Sequence, residues 1–537
     1  MTQEYDFILI GAGSAGCVLA NRLSANGRNR ILLLEAGGDD RRFWIQVPLG
    51  YGKSFYDKSV NWMYQTEPVA STAGRKSYWP CGKVLGGSSS INAMIYIRGQ
   101  AEDYDDWQAM GNPGWGWQDV LPLFKRMEDH SIGESEYHGS NGPLHIDASA
   151  RGLHPICERY IDACQEAGLA RNDDFNGATQ EGAGTYHINI KNGMRMSAAR
   201  AYLWPIRKRS NLHIETHAHA SRILFEGKRA VGVEYLKHGI KQSASARQEV
   251  ILSAGAINSP QLLLSSGIGP ASELKELGID IVHDNPAVGK NLQDHYFVEH
   301  SYRSTQPTLN NQLHPWTGKL WAGLKYVLAR QGPLARNINH AGGFFRTSAE
   351  LTRPNMQLYF CPLSYRKVAP GTRPLLNPDP YAAFSIGISP CRPTSRGYLR
   401  LKSADPMQAP EIQPNYLATG HDQKEVLQGV KFLRRLATTP TMKALIAEEI
   451  EPGPETVDDE GLMQHVREYG GTVFHPSASC RMGSDPVTSV VDATLRVHGL
   501  RGLRVADASI FPTLPSGNTN APAIMVGEKA SDLILNG

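Results

Sequence analysis

The chain has 537 residues, 41% hydrophobic and 20% charged, with a mean hydropathy of −0.35, a composition typical of globular proteins large enough to bury a sizeable core. Its 55 basic and 52 acidic residues nearly cancel to a formal charge of +3, which argues against a nucleic-acid-binding face. No apolar run reaches the roughly 18 residues of a membrane-spanning helix, and the first residues lack the features of a secretory signal.

The seven cysteines are an odd number, and none of them is spaced as CxxC. This pattern argues against a zinc site and against a disulfide framework, and it indicates reduced thiols. We therefore expect a cytoplasmic protein without a bound metal. Peripheral contact with the inner membrane and the oligomeric state are left open by the sequence.

The first 35 residues predict a strand, a glycine turn, a helix and a second strand. "YDFILI" (5–10) and "ILLLE" (31–35) are continuous apolar runs, which suit parallel strands covered on both faces. Between them, "CVLANRLS" (17–24) has its apolar residues at helical spacing. This order is typical of a dinucleotide-binding unit.

Further along the chain, the patterns change twice. Residues 36–130 show little periodicity, which indicates a segment that packs on a ligand or on another domain. Residues 211–255 alternate like the strands of a meander, with turns expected at "EGKR" (226–229) and "SASAR" (243–247). Residues 422–437 predict an amphipathic helix, and the last residues predict another helix.

The glycine turn has the spacing G-x-G-x-x-G, with Gly11, Gly13 and Gly16 between the first strand and the helix. The first glycine permits the tight turn, the second lets a pyrophosphate approach the backbone, and the third lets helix and strand pack closely. Glu35 ends the next strand, where a carboxylate can bind an adenosine ribose. The pattern predicts dinucleotide binding but does not separate NAD from FAD.

A second glycine-rich segment, "GKVLGGSSSIN" (82–92), favours a flavin. A backbone with so few side chains lets a ligand approach closely, and nicotinamide enzymes rarely need a second surface of this kind. Hydroxyls and Asn92 in the segment suit the pyrophosphate and ribityl part of FAD.

At this point the sequence resembles a known family. "GKVLGGSSSINAMIYIRGQAEDYD" (82–105) and "GAINSPQLLLSSGIG" (255–269) resemble the two signatures of the glucose–methanol–choline (GMC) oxidoreductases. "VGKNLQDH" (288–295) and "NTNAP" (518–522) are similar too, so the resemblance covers essentially the whole chain.

The resemblance implies a mixed α/β fold with two domains. The first is a discontinuous Rossmann-type FAD-binding domain, expected over residues 1–155, 192–302 and 462–537. The second is an inserted substrate domain with an antiparallel sheet and flanking helices, expected over 156–191 and 303–461. The position at which some relatives carry a flavin-linked histidine is Ile91 here, so non-covalent FAD is expected.

The resemblance also implies a set of residues that contact FAD. They are Gly11, Gly13, Ser14, Ala15, Gly16, Glu35, Ala36, Gly82, Val84, Gly86, Gly87, Ser88, Ser90, Asn92, Ala93, Met94, Ala220, Asp507, Ala508, Asn518 and Thr519.

Alcohol oxidation needs a base, and histidine suits this role because its unperturbed pKa lies near neutral pH. "HPSASCRMG" (475–483) resembles the family segment His-Pro-x-Gly-Thr-x-x-Met-Gly, with Ala478-Ser479 in place of Gly-Thr. The resemblance therefore implies His475 as the base and Asn518 as the second active-site residue, whose amide could donate to the substrate oxygen. Asp294 and His295 are interpreted as a buried loop anchor at the domain junction.

Three functions are open at this stage. The favoured one is a dehydrogenase that oxidises a primary alcohol or a sugar-type polyol and passes electrons to a quinone or another non-oxygen acceptor, as in the bacterial choline, aliphatic-alcohol and sorbose dehydrogenases. The second is an O₂-using oxidase of the aryl-alcohol or furfural type, and the third is a hydroxynitrile lyase without redox chemistry. Choline would require an aromatic or acidic cage, which the sequence does not locate.

Overall fold

The first sheet confirms the predicted strand–turn–helix–strand unit. The structure, a computed structural model, describes residues 3–365 and 377–536. Seven strands form this sheet, in the order Leu212–Glu215, Ile31–Leu34, Gln3–Ile10, Ile240–Leu252, Arg229–Lys237 and Ala218–Glu226, with Leu503–Val505 paired to Ile240–Leu252. Gln3–Ile10 runs parallel to both of its neighbours, and its apolar run is buried, as is that of Ile31–Leu34.

The two ends of the chain pack together on this sheet. Helix Ser14–Leu23 lies against the C-terminal helix Asn520–Leu535. Arg22 donates to both carboxylate oxygens of the fully buried Glu528, at 2.9 and 2.7 Å. Burial of such an ion pair requires both partners in place, so the two helices depend on each other.

The meander is present, but one of its expected turns was wrong. The hairpin at "EGKR" is confirmed, since Glu226 pairs with Arg229. "SASAR" instead lies inside strand Ile240–Leu252, and the chain turns earlier, at His238 and Gly239. Both residues have positive φ, 50° and 80°, as a two-residue hairpin loop of type I′ requires.

The second sheet is antiparallel, as expected for the inserted domain. Its strand order is Ile446–Glu451, Tyr296–Ser304, Ala383–Pro390, Met356–Cys361, Ala341–Phe345 and Gly182–Thr185, with Gly471–Thr472 paired to Tyr296–Ser304. Helix Gly420–Ala437 packs on this sheet through Val426, Val430 and Leu433. Strand Tyr296–Ser304 crosses the expected boundary at residue 302, and the domain boundaries stay a prediction.

Shorter elements complete the described residues. The two-stranded sheets are Tyr64–Gln65 with Tyr78–Trp79, Glu128–His130 with Leu144–Ile146, Ile190–Lys191 with Met194–Arg195, Ile268–Gly269 with His283–Asp284, and Tyr398–Arg400 with Glu411–Gln413. The remaining α-helices are Phe43–Gln46, Tyr51–Ser54, Ala101–Ala109, Trp117–Met127, Ile156–Glu166, Ala271–Glu276, Gly255–Ser265, Leu309–Leu313, Trp316–Ala329, Pro440–Leu445 and Asp459–Tyr469.

Residues 36–130 are therefore less irregular than their sequence indicated, because two helices, Ala101–Ala109 and Trp117–Met127, lie within them. All seven cysteines are free. Within residues 3–365 and 377–536, no helix combines the length and the apolar character needed to cross a membrane.

Candidate active site

A cavity of about 890 Å³ is lined by residues of both sheets. Ile10 and Leu34 contribute from the first sheet, and Phe297 and Tyr359 contribute from the second. The size is that of a site for a large cofactor together with a small substrate. One wall of the cavity thus comes from the first sheet and the other from the second.

The FAD-side wall is made of backbone. Gly11 has φ +99°, and a Cβ there would lie 2.6 Å from the carbonyl oxygen of Ser253. At Gly16 a Cβ would lie 2.0 Å from the carbonyl oxygen of Gly11, and at Gly87 it would lie 2.8 Å from the Cα of Gly13. The two glycine-rich segments therefore touch each other at Gly87 and Gly13, and a side chain at Gly87 would separate them.

Glu35 places a carboxyl group at the edge of this wall. Its Oε2 accepts a hydrogen bond from the backbone N–H of Ala12 at 3.1 Å, and its Oε1 accepts one from Gly37 at 2.8 Å. Burial raises the pKa of Glu35 to about 7. A buried carboxyl held by backbone donors next to a helix N-terminus matches the ribose and pyrophosphate ends of a dinucleotide.

The residues present fit FAD. The cavity has the volume, the backbone cradle and the acidic residue that the cofactor requires. Ile91 lines the same cavity and is apolar, so it offers no atom for a covalent flavin link.

Asp507 holds loops of the cavity together. Its Oδ2 accepts from the backbone N–H of Gly255 at 2.9 Å and from the Ser259 hydroxyl at 2.6 Å, and its Oδ1 accepts from the backbone N–H of Ser509 at 2.8 Å. The carboxylate thereby joins the second signature segment to the C-terminal loop that carries Ala508. Its predicted contact with FAD stays a prediction.

His475 and Asn518 meet inside the cavity. Nδ2 of Asn518 lies 3.1 Å from Nε2 of His475, and both residues line the cavity. The backbone N–H of His475 donates to Oδ1 of the buried Asp294 at 2.7 Å, which fixes the loop that carries the ring. The two residues that the resemblance pairs are thus brought into hydrogen-bonding contact.

His295 determines which nitrogen of His475 carries the proton. Nε2 of His295 lies 2.9 Å from the carbonyl oxygen of Cys391, so it must be the protonated nitrogen. Its Nδ1 then accepts, and it lies 2.9 Å from Nδ1 of His475, which must be the donor. The Nε2 of His475 is consequently unprotonated and faces the cavity, as a base requires.

Burial keeps both rings neutral. The pKa of His475 lies well below its usual value, because the ring is desolvated and because His295 is close to it. Burial also lowers the pKa of His295 to about 4. Asp294 beneath them has its pKa raised to about 6, again by burial. A neutral His475 is ready to accept a proton at neutral pH.

A hydrogen-bond chain orients the Asn518 amide. The hydroxyl of Tyr359 donates to Oε1 of Gln357 at 2.7 Å, and Nε2 of Gln357 donates to Oδ1 of Asn518 at 3.2 Å. Because the carbonyl end of Asn518 is engaged by Gln357, its N–H₂ end points to His475.

Most of the predicted FAD-contacting residues line the cavity. Those that do are Gly11, Gly13, Ser14, Ala15, Glu35, Ala36, Gly82, Gly87, Ser88, Asn92, Ala93, Met94, Ala220, Asp507, Ala508, Asn518 and Thr519. The other four, Gly16, Val84, Gly86 and Ser90, lie behind the surface of the cavity. The Ser90 hydroxyl donates to the carbonyl oxygen of Leu85 at 2.7 Å, and the backbone N–H of Gly86 donates to the carbonyl oxygen of Ala12 at 2.7 Å. These four shape the wall from behind.

The sequence analysis did not identify three residues that contact and position the predicted site residues. His295 was interpreted as a loop anchor, and Gln357 carried no motif. Arg195, 1% exposed, donates to Oδ1 of Asn92 at 2.8 Å and to the carbonyl of Ser89 at 3.2 Å, and burial lowers its pKa to about 9. The position of His295 next to the "QD" of "NLQDH" was the one available signal.

Comparison with protein-family models supports the family indicated by the sequence motifs. A family model described as GMC oxidoreductase matches residues 5–297, and a second model with the same description matches residues 393–527. Together the two models cover most of the chain.

Full-length relatives agree. The chain is 44% identical to "Alcohol dehydrogenase [acceptor]" of Pseudomonas putida, over 99% of this chain and 96% of the relative. It is 43% identical to "Oxygen-dependent choline dehydrogenase" of Vibrio vulnificus, over 100% and 95% of the two chains. Human mitochondrial choline dehydrogenase is 43% identical, over 99% of this chain and 90% of that one.

Solved structures share the fold over the whole length. Pyridoxine 4-oxidase from Mesorbium loti superimposes with a TM-score of 0.88 at 30% identity, covering 99% of both chains. A formate oxidase variant from Aspergillus oryzae gives a TM-score of 0.91 at 26% identity, covering 99% of this chain and 98% of that one. The expected α/β fold with a Rossmann-type FAD-binding unit is confirmed. The chain belongs to the GMC oxidoreductase family and is an FAD-dependent oxidoreductase that acts on CH–OH donors.

Proposed function

We propose that the protein is a dehydrogenase that oxidises a primary alcohol or a sugar-type polyol to the carbonyl compound, with His475 as the base, and passes the electrons to a quinone or another non-oxygen acceptor. The observation that carries this proposal is the unprotonated Nε2 of His475, which faces the cavity 3.1 Å from the Asn518 amide. The names "Alcohol dehydrogenase [acceptor]" and "Choline dehydrogenase, mitochondrial" support a dehydrogenase.

FAD, when bound, supplies the hydride acceptor, and the chain supplies position and proton transfer. An alcohol oxygen placed between His475 and Asn518 gives its proton to Nε2 of His475. The Asn518 N–H₂ group donates to the same oxygen and stabilises the negative charge that develops there. His295 accepts from Nδ1 of His475 throughout, and so holds the ring in one orientation.

The burial of the site keeps water away from this step. His475, His295 and Asp294 are all buried, so few water molecules can solvate the positive charge that develops on the His475 imidazole. Asp294 accepts from the backbone N–H of His475 and so holds the loop that carries the base.

The test is anaerobic titration of the FAD-loaded enzyme with alkanols, polyols and choline in turn, followed by its visible spectrum. Bleaching of the flavin band by an alcohol supports the proposal. His475→Ala should bleach about 10²–10⁴-fold more slowly with its FAD content unchanged, while His421→Ala, at an exposed helix position, should match the wild type. Normal bleaching in His475→Ala would exclude His475 as the base, and no bleaching by any CH–OH compound would favour the lyase alternative.

Readmission of air separates dehydrogenase from oxidase. If the proposal is correct, a soluble quinone restores the flavin colour much faster than O₂ does. Rapid recovery with O₂ alone would instead assign the protein to the oxidases, a class that includes the pyridoxine 4-oxidase and formate oxidase structures.

Choline is a second candidate substrate, because one part of the cavity wall combines aromatic rings with a carboxylate. Phe297 and Tyr359 lie edge to face with ring centroids 5.5 Å apart, and Glu299 follows on the same strand face as Phe297. Burial raises the pKa values of Cys361 and Tyr365, which line the same cavity, and the charge of nearby Glu299 raises them further. Such a wall suits a trimethylammonium group.

Glu299→Gln distinguishes the two substrates. If choline is the substrate, this variant should lose choline turnover by tenfold or more through a raised KM, since the attraction for the cation is lost. If an uncharged alcohol is the substrate, the KM for that alcohol should stay close to the wild-type value.

A further inference from the structure

Helix Trp316–Ala329 carries a large apolar face that the described residues leave exposed. Six of its side chains are both large and exposed: Trp316, Leu320, Trp321, Leu324, Val327 and Leu328. Trp316 is 75% exposed and Leu328 is 81% exposed. A contiguous apolar face of this kind marks an interaction site.

The helix turns Ala322 and Tyr326 inward and most of its large apolar residues outward. At about 100° per residue, the six exposed side chains fall within an arc of roughly 140°. Ala322 and Tyr326 lie on the opposite side and are buried against the protein. A helix that only completed the core would show the reverse arrangement.

We call these six exposed helix residues together the apolar surface. It contains a substantial share of the exposed large apolar side chains among the described residues.

The charge around the apolar surface is positive. Lys319 and Lys325 are exposed and lie on the two edges of the helix face, and Arg330 follows its end. From Trp316 to Arg330 these three are the basic residues, and the segment holds no aspartate or glutamate.

We propose that the apolar surface docks on an anionic phospholipid bilayer, with helix Trp316–Ala329 lying in the plane of the headgroups. Leucine, valine and tryptophan side chains enter the acyl boundary of the bilayer, and lysines at the edges of the helix reach back to the phosphates. Tryptophan is favoured at this depth, and each basic side chain near the surface adds attraction for anionic lipid.

Docking in this orientation places the cavity next to the lipid. Ala322 of the helix packs in one small core with Leu49, Tyr51 and Ile338, of which Tyr51 and Ile338 also line the cavity. A lipid-soluble quinone or long-chain alcohol would therefore approach from the bilayer. This consequence, unlike the docking itself, rests on the proposed function.

Vesicle flotation with the full-length, FAD-loaded enzyme tests the docking. We expect the enzyme to float with vesicles of phosphatidylcholine and phosphatidylglycerol, and to float much less with phosphatidylcholine alone. Leu324→Glu/Leu328→Glu should lower the bound fraction about tenfold or more. The matched control is Ile240→Glu/Val487→Glu, which adds the same charges at exposed apolar positions elsewhere and should bind like the wild type.

Vesicle binding and enzymatic turnover of a second variant complete the test. Lys319→Glu/Lys325→Glu should lose about tenfold or more of its binding to anionic vesicles and should keep wild-type turnover with a soluble dye acceptor. That turnover measures folding and catalysis separately from docking. Absence of flotation by the wild type would overturn the proposal. So would a dimer in sedimentation that Leu324→Glu/Leu328→Glu converts to monomer, because a second copy would then be the occupant.

Discussion

The two walls of the cavity are built from different materials. The FAD-side wall is backbone, in which Gly11, Gly16 and Gly87 leave no room for a Cβ. On the opposite side, His475 and Asn518 are held by hydrogen bonds that run from the backbone carbonyl of Cys391 through His295 and His475 to Asn518 and Gln357, and we call this set the side-chain wall. The first wall is sensitive to added atoms, and the second is sensitive to the direction of its hydrogen bonds.

The largest expected effect comes from adding one methyl group to the backbone wall. Gly11→Ala places a Cβ 2.6 Å from the carbonyl of Ser253 at φ +99°, so we expect apoprotein with no turnover and a loss of about 3 kcal/mol in the free energy of unfolding. The FAD content of the purified variant measures the first loss, and denaturant titration measures the change in the free energy of unfolding.

Gly27→Ala is the matched control, since Gly27 also has a positive φ, +70°, but nothing lies within 4 Å of its Cβ position. It should retain FAD and lose only about 1 kcal/mol. Equal FAD content in the two variants would contradict the idea that close backbone contact forms the cradle.

The second-largest effect is expected from a substitution that disrupts the hydrogen bonds of the side-chain wall and leaves His475 in place. His295→Phe takes away the acceptor of the His475 Nδ1 proton, which then moves to Nε2 and blocks the base. We expect anaerobic flavin reduction to slow about 10–100-fold, with FAD content unchanged.

His295→Asn sharpens this test, because its amide oxygen can take the place of the imidazole Nδ1 as acceptor. It should recover most of the rate that His295→Phe loses. If both variants are equally slow, His295 acts through packing and not through the tautomer of His475.

The third effect is the pH dependence of flavin reduction. Burial holds the pKa of His475 well below its usual value, so the base stays unprotonated as the pH falls through 6.5. The reduction rate should be flat from pH 8 to below 6.5 and then fall by up to about tenfold per pH unit. A rate that already halves near pH 6.5 would show that the ring is not desolvated in the working enzyme.

The smallest effect concerns stability. Burial lowers the pKa of His340 to about 3, so the folded state binds its proton less readily than the unfolded state does. The stability that His340 confers is complete above the unfolded pKa near 6.5 and is lost as the pH falls toward 3. His340→Gln should therefore flatten the loss of stability between pH 6 and 4, by up to about 1.4 kcal/mol per pH unit.

Chemical denaturation at several pH values measures this slope. His421→Gln, an exposed histidine on helix Gly420–Ala437, is the matched control and should keep the wild-type slope. Identical slopes for all three proteins would contradict the role assigned to His340.

The difference between the walls also explains what the sequence could predict. The backbone wall is encoded in short contiguous segments, so Gly11, Gly13 and Glu35 could be identified from spacing alone, and the strands and helix around them followed from apolar periodicity. The local hairpin at His238-Gly239 was missed, because the apolar alternation was read through to "SASAR".

The side-chain wall depends on contacts between distant parts of the chain. His295 and His475 are 180 residues apart, and Gln357 and Asn518 are 161 apart. No local pattern records such contacts, so His475 and Asn518 came from family resemblance, and His295, Gln357 and Arg195 appeared only in the structure. The exposed face of helix Trp316–Ala329 also depends on how the helix packs, which its composition alone does not determine.

The pairing of the two chain ends bears on how the enzyme is made. Strand Leu503–Val505 and helix Asn520–Leu535 complete the sheet and helix layer begun by residues 3–34, and the Ser14 hydroxyl donates to Asn520 at 2.8 Å. A nascent chain on the ribosome lacks these partners until residues 503–536 have emerged. We therefore expect cofactor capture to follow translation, and until then the apolar strands of the first sheet to be exposed to aggregation.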